Sequence, residues 1–149
     1  MKTICKLLAL SLLLSAASAW AQLKPYTDYE QSQEVTHITT IQVHANRIDD
    51  YLEGIRDTWV ASNEVAKKLG HIKDYSVYVS EMPSSGDFNV VLVQYFESAE
   101  QMQPSKERYD AFMKAWGNAN QEKTRGISKN YPSMRDITGE YQLRRITFK

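Results

Sequence analysis

Hydrophobic periodicity switches twice along this chain, in the same sense each time, and that alternation restricts the folds open to it. Residues 34–44 (EVTHITTIQVH) are rich in β-branched side chains, and Val35, His37, Thr39, Ile41 and Val43 recur at period two, which predicts a strand. Over residues 47–69 the period becomes three to four. Ile48, Tyr51, Leu52, Ile55, Trp59, Ala66 and Leu69 define the apolar face of a long amphipathic helix. Asn46 is its expected N-cap, Asp49 and Asp50 stand in the favourable first turn, and Gly70 is the expected left-handed residue past its end. Residues 72–80 return to period two, with Tyr75, Val77 and Val79 on one face. Residues 82–87 (MPSSGD) are dense in turn formers. Residues 88–97 (FNVVLVQYFE) form a third strand, apolar enough to imply burial on both faces. Ser98 and Gln101 have the spacing of a capping box ahead of a short helical segment that Pro104 interrupts. Residues 105–122 resume as a helix with Tyr109, Phe112, Met113 and Trp116 on its apolar face. After a polar stretch, 123–138, with Pro132 as a breaker, residues 140–148 (EYQLRRITF) close the pattern as a strand.

The resulting order is β-α-β-β-α-β, two halves of similar length, which is the ferredoxin-like split βαβ arrangement. It predicts an α+β fold: one antiparallel sheet with two helices on one face. The third strand then needs cover on the other face, and a second copy of the chain is the simplest cover. Two such sheets packed face to face make a dimeric α/β barrel, so the chain itself is the first expected partner.

The first 21 residues (MKTICKLLALSLLLSAASAWA) have a different character. Two lysines precede a leucine-rich run over residues 7–14, and Ala19-Trp20-Ala21 has the A-x-A cleavage pattern, so a secretory signal peptide is expected, with a mature start at Gln22. The run is shorter than the ~20 residues that span a bilayer, so no membrane association is expected after cleavage, and the expected location is the periplasm or the outside medium. The chain's one cysteine, Cys5, lies in this leader, so the mature protein would hold no disulfide, thiolate metal site or cysteine nucleophile. Residues 22–33 are polar and aperiodic, which suggests a flexible N-terminal arm, and residues 34–149 form the domain. Of 18 basic residues Lys2 and Lys6 belong to the leader, leaving 16 against 18 acidic ones, so bulk charge does not suggest a nucleic-acid partner.

The pattern of strand 36–43, Tyr51-Leu52 and Trp59 on the first helix, Gly70, strands 75–79 and 90–96, and the run Ser98-Ala99-Glu100-Gln101-Met102 resembles the dimeric α/β-barrel superfamily, which includes antibiotic-biosynthesis monooxygenases and NIPSNAP-like proteins. The resemblance covers residues 34–148 and implies a fold more than a chemistry, because the superfamily spans cofactor-free oxygenases, haem-degrading enzymes, small-molecule isomerases and proteins of no known activity. Haem-degrading and quinone-forming members are associated with Asn and Trp side chains in the sheet–helix cavity. That association directs attention to Trp59 and Asn63, one helical turn apart, as ligand-binding candidates.

His37, in the middle of the first strand, is the one candidate for catalysis. It is either a pocket base or a hydrogen-bonded core histidine. Tyr75 and Trp116 join Trp59 and Asn63 as ligand-binding candidates, with core filling as the alternative for each aromatic. His44 is read as solvated or capping, and His71, just past Gly70, as a cation at a helix C-terminus. No H-x-H or H-E-x-x-H spacing occurs, so no metal is indicated, and no cofactor is implied. Arg144 and Arg145 lie on opposite faces of the closing strand, so one should face a pocket carboxylate or an acid such as Glu97 or Glu140 across the dimer. Two functions stay open: an exported small-molecule-binding or structural dimer, and a cofactor-independent, monooxygenase-like enzyme acting on an aromatic or polyketide-like substrate.

Overall fold

The computed structural model describes residues 22–82 and 86–149. Residues 1–21, the expected leader, and residues 83–85 of the expected turn lie outside the described residues. Two units divide the chain. The larger is Gln31–Ile146; the smaller joins the residues up to Glu30 to Thr147–Lys149.

The strands of the larger unit are β2 (Val35–Val43), β3 (Asp74–Val79), β4 (Val90–Phe96) and β5 (Arg135–Leu143), following a short β1 (Tyr29–Gln31). They form one sheet in the order β3-β4-β2-β5, with every neighbouring pair antiparallel. This is the strand order of the ferredoxin-like α+β fold, as the sequence pattern predicted. In β2 the odd residues Val35, Ile41 and Val43 are buried under the helices, and in β4 the even residues Val90, Leu92 and Phe96 join them. Asn89 extends the ladder with its side chain: Nδ2 donates to the Val43 carbonyl and Oδ1 accepts from the Val43 amide, both at 2.8 Å.

The first helical stretch runs as α1 (Ile48–Ile55), a π-helical segment (Arg56–Val60) and α2 (Ala61–Lys68). Its N-terminus differs from expectation. Asn46 has φ 61°, so it turns the chain, while Arg47 occupies the cap position and no side chain caps the helix. Its C-terminus is as expected: Gly70 has φ 70°, the Gly70 amide donates to Lys67 and the His71 amide to Ala66, a Schellman closure. A β-carbon in that left-handed conformation is disfavoured by about 1–2 kcal/mol. Gly70→Ala should therefore lower the unfolding free energy by about 1 kcal/mol in urea titrations. An unchanged midpoint would show that the left-handed turn contributes nothing.

A one-turn 3-10 helix (Ala99–Met102) follows Ser98, and α3 (Lys106–Ser128) starts where the Ser105 hydroxyl accepts from the Arg108 amide. The helix is longer than expected and is broken at Gly117 (φ 76°, ψ 160°). Tyr109, expected on the apolar face, is 61% exposed. A 3-10 turn (Tyr131–Ser133) leads into β5, five residues earlier than the sequence pattern suggested. The expected closing strand is two strands, because Arg144 and Arg145 separate β5 from β6 (Ile146–Phe148). Arg144 donates to the Ser32 and Gln33 carbonyls.

In the smaller unit, β1 pairs with β6, Tyr29 meets Phe148 edge-on at 6.3 Å, and Lys149 Nζ lies 2.7 Å from Glu30. Residues 22–33, read as an aperiodic arm, thus contain a strand. Among the described residues no helix is long and apolar enough to cross a membrane.

Candidate functional site

A cavity of about 300 Å³ lies between the sheet and the first helix of the larger unit. Its floor is the helix-facing side of β2 and β4: His37, Thr39, Ile41, Leu92 and Gln94. Tyr51 and Ile55 of α1, Trp59 of the π segment and Tyr131 form the opposite wall, and Arg135, Ile137 and Glu140 of β5 close the edge.

The π segment places Trp59. Thr58 is buried, and its hydroxyl donates back to the Gly54 carbonyl at 3.0 Å. With its one proton used there, Thr58 Oγ1 accepts from the Tyr131 hydroxyl at 2.6 Å. The Trp59 carbonyl accepts from two side-chain donors, Ser62 Oγ at 2.9 Å and Asn63 Nδ2 at 2.7 Å. Such π insertions in α-helices recur at functional sites.

Asn63 is buried, and its bond to a backbone carbonyl fixes which end of its amide is the donor. Asn63 Oδ1 therefore accepts, and Gln94 Nε2 donates to it at 2.7 Å. That orients Gln94 Oε1 toward His37 Nδ1, 3.5 Å away. A neutral His37 so placed carries its proton on Nδ1 and keeps Nε2 as the basic nitrogen.

Tyr75 meets Trp59 edge-on, centroids 5.5 Å apart at 85°, and its hydroxyl donates to Glu64 Oε1 at 2.5 Å. That bond and burial push the Tyr75 phenol up to about 12. Burial pushes the Tyr51 phenol up to about 12 as well, against the pull of the neighbouring Arg135 guanidinium. Both rings are neutral hydrogen-bonding aromatics at physiological pH.

Of the sequence candidates, His37 and Trp59 line the cavity, Asn63 orients His37 through Gln94, and Tyr75 supports the Trp59 indole. Trp116 is buried on α3, stacked on Phe112 at 6.0 Å, and is not part of the cavity lining. The remaining histidines have local roles. His44 pairs with Asp136 at 3.0 Å. Burial and the nearby Arg108 charge lower the His71 pKa, which opposes its reading as a helix-end cation. Sequence reasoning missed Gln94, Tyr131 and Arg135, and read Glu140 only as an acid for an arginine across the dimer. Gln94 alone carried a signal, as the one polar residue inside an apolar run.

Sheet order and helix placement define a ferredoxin-like α+β fold. Among solved structures, a NIPSNAP family protein from Agrobacterium tumefaciens shares the fold at 14% identity, TM-score 0.51, over 82% of this chain and 96% of its own. A protein from Shewanella oneidensis aligns at 10% identity, TM-score 0.47, over 80% of this chain and 98% of its own. A ferredoxin-like protein from Bacteroides fragilis, described as dimeric and of unknown function, aligns at 12% identity, TM-score 0.43, over 80% of this chain and 100% of its own. No protein-family model and no curated protein sequence matches the chain.

Proposed function

We propose that this is an exported, homodimeric small-molecule-binding protein that holds a planar aromatic ligand in the cavity between its sheet and first helix. The carrying observation is the composition of that cavity. Trp59, Tyr51 and Tyr131 supply aromatic wall, and one imidazole, His37, with Nδ1 facing Gln94 Oε1, supplies a hydrogen-bonding group beside it. The volume lies at the lower end of ordinary ligand sites. Export is supported by the leader-like residues 1–21, and an intact mass beginning at Gln22 is the expected result for protein recovered from the periplasm or medium. Dimerisation is supported by the apolar sheet face opposite the helices.

The test of binding is a titration with haem and a panel of phenols and quinols, followed by tryptophan fluorescence. Trp59 lines the cavity and Trp116 does not, so a cavity ligand should quench saturably in wild type and lose most of that signal in Trp59→Phe. His37→Ala should weaken binding by about tenfold, the value of one hydrogen bond to a polar ligand group. No quenching by any member of the panel would remove the binding reading and make these side chains core.

A second reading, a cofactor-independent, monooxygenase-like enzyme, is favoured by the His37–Gln94–Asn63 chain. It fixes the imidazole in the form that can take a proton from a phenolic substrate at Nε2. Oxygen uptake with a bound phenol, lost in His37→Ala and reduced in Gln94→Leu, is the result this reading expects.

A further inference from the structure

We propose that Arg135 is the residue that selects the ligand's charge, so that the cavity takes an aromatic carboxylate in preference to a neutral aromatic. This deepens the cavity reading above and rests on it. Arg135 is the first residue of β5, paired with Val43 on the helix-facing side of the sheet, and it lines the cavity. Its guanidinium lies 5.6 Å over the Tyr131 ring, and Tyr131 meets Tyr51 edge-on at 5.4 Å, so the cation rests on an aromatic pair.

Two observations give the cation an anion to find. Arg135 Nε is buried and donates no hydrogen bond, and the neutral Tyr51 hydroxyl beside the guanidinium carries no charge to balance it. Among the described residues, no carboxylate lies within ion-pair distance of the guanidinium. A half-buried guanidinium is normally paired, because its N–H donors need acceptors and its planar fork matches a carboxylate. The acid lining the same cavity, Glu140, does not neutralise it. Glu140 is five residues further along β5, about 16 Å of strand, and is exposed. The adjacent Asp136 is engaged by His44 at 3.0 Å. A ligand whose ring lies against Trp59 or Tyr131 and whose carboxylate reaches Arg135 would supply the missing acceptors.

The probes are 2-naphthoate and its neutral isostere 2-naphthamide, titrated by calorimetry into the full mature chain. In wild type, naphthoate should bind at least tenfold more tightly than naphthamide, since a charge-assisted hydrogen bond favours the anion by that factor or more. Arg135→Gln should erase the preference and leave naphthamide binding within about twofold, while Arg135→Lys should keep part of it. Equal affinities in wild type would overturn the assignment of Arg135 while leaving the cavity reading intact. That comparison needs no variant to fold. Binding of neither probe would overturn the cavity reading and this assignment with it.

Discussion

Ile41→Ala should lower the unfolding free energy by about 3–4 kcal/mol, in the upper part of the range for large-to-small core substitutions. Ile41 is 1% exposed and belongs to one cluster with Val43, Tyr51, Ile55, Val90, Leu92 and Tyr131. It is flanked in the sheet by Val90 on β4 and Ile137 on β5, so strands on both sides limit collapse into the space left behind. A domain of this size has a total stability of roughly 5–15 kcal/mol, so a substantial fraction would be lost. The thermal midpoint should fall by roughly 10–20 °C. The contrast is Ile137→Ala. Ile137 is 49% exposed, and its truncation should cost less than about 1 kcal/mol. Equal losses at the two positions would mean that the cluster over Ile41 is not the centre of the fold. Ile41 is also part of the cavity floor, so Ile41→Val, which removes one methylene, is the variant for separating ligand affinity from stability.

The strands were legible because alternation is local. Val35 through Val43 repeat at period two whatever packs on them, and the structure places a strand there. Which face of β2 meets the helices is not local information. It is decided by where Tyr51 and Ile55 land after the turn at Asn46, and they land on the odd side, taking His37 to the cavity. The π segment was invisible for the same reason. The spacing of Ile55 and Trp59 reads as an ordinary turn, while the widened turn is tied down by the Thr58–Tyr131 bond between residues 73 apart. Trp116 shows the converse. Phe112 and Trp116 share a helix face as their spacing required, but the strand-facing cavity lies elsewhere. Arg135 and Tyr131 were missed because residues 123–138 carry no repeat, and a cavity wall made of one residue from each of several elements leaves no period to read. The β1–β6 pairing joins three-residue strands from opposite ends of the chain, too short for alternation to register.

Tyr141→Asp combined with Leu143→Asp should convert a homodimer into a folded monomer. The helix-facing side of the sheet is assigned by its buried residues, so the other side carries Ile38 of β2, Val91, Val93 and Tyr95 of β4, Tyr78 of β3, and Tyr141 and Leu143 of β5. Thr36, Thr40 and Ser76 share that face, but its aromatic and aliphatic side chains include Tyr78, Tyr141 and Leu143, each about half exposed, whereas an antiparallel sheet facing water shows polar residues on its outer side. An apolar face of this kind marks an interaction surface, and a second copy offers the same strands and side chains in a self-complementary patch. Tyr141 is 50% exposed and Leu143 47%, so charges at both positions should be tolerated by the isolated chain. Buried in a dimer, unpaired charges at two positions per copy should raise the dissociation constant by about a hundredfold or more, because each costs several kcal/mol to desolvate. Sedimentation velocity at micromolar concentration should give twice the chain mass for wild type and for Tyr109→Lys, a control at an exposed aromatic on α3, and a single chain mass for the double variant with an unchanged far-UV spectrum. A wild-type protein that sediments as a monomer across that range would discard the face-to-face barrel and leave Val91 through Tyr95 as an apolar strand without a partner.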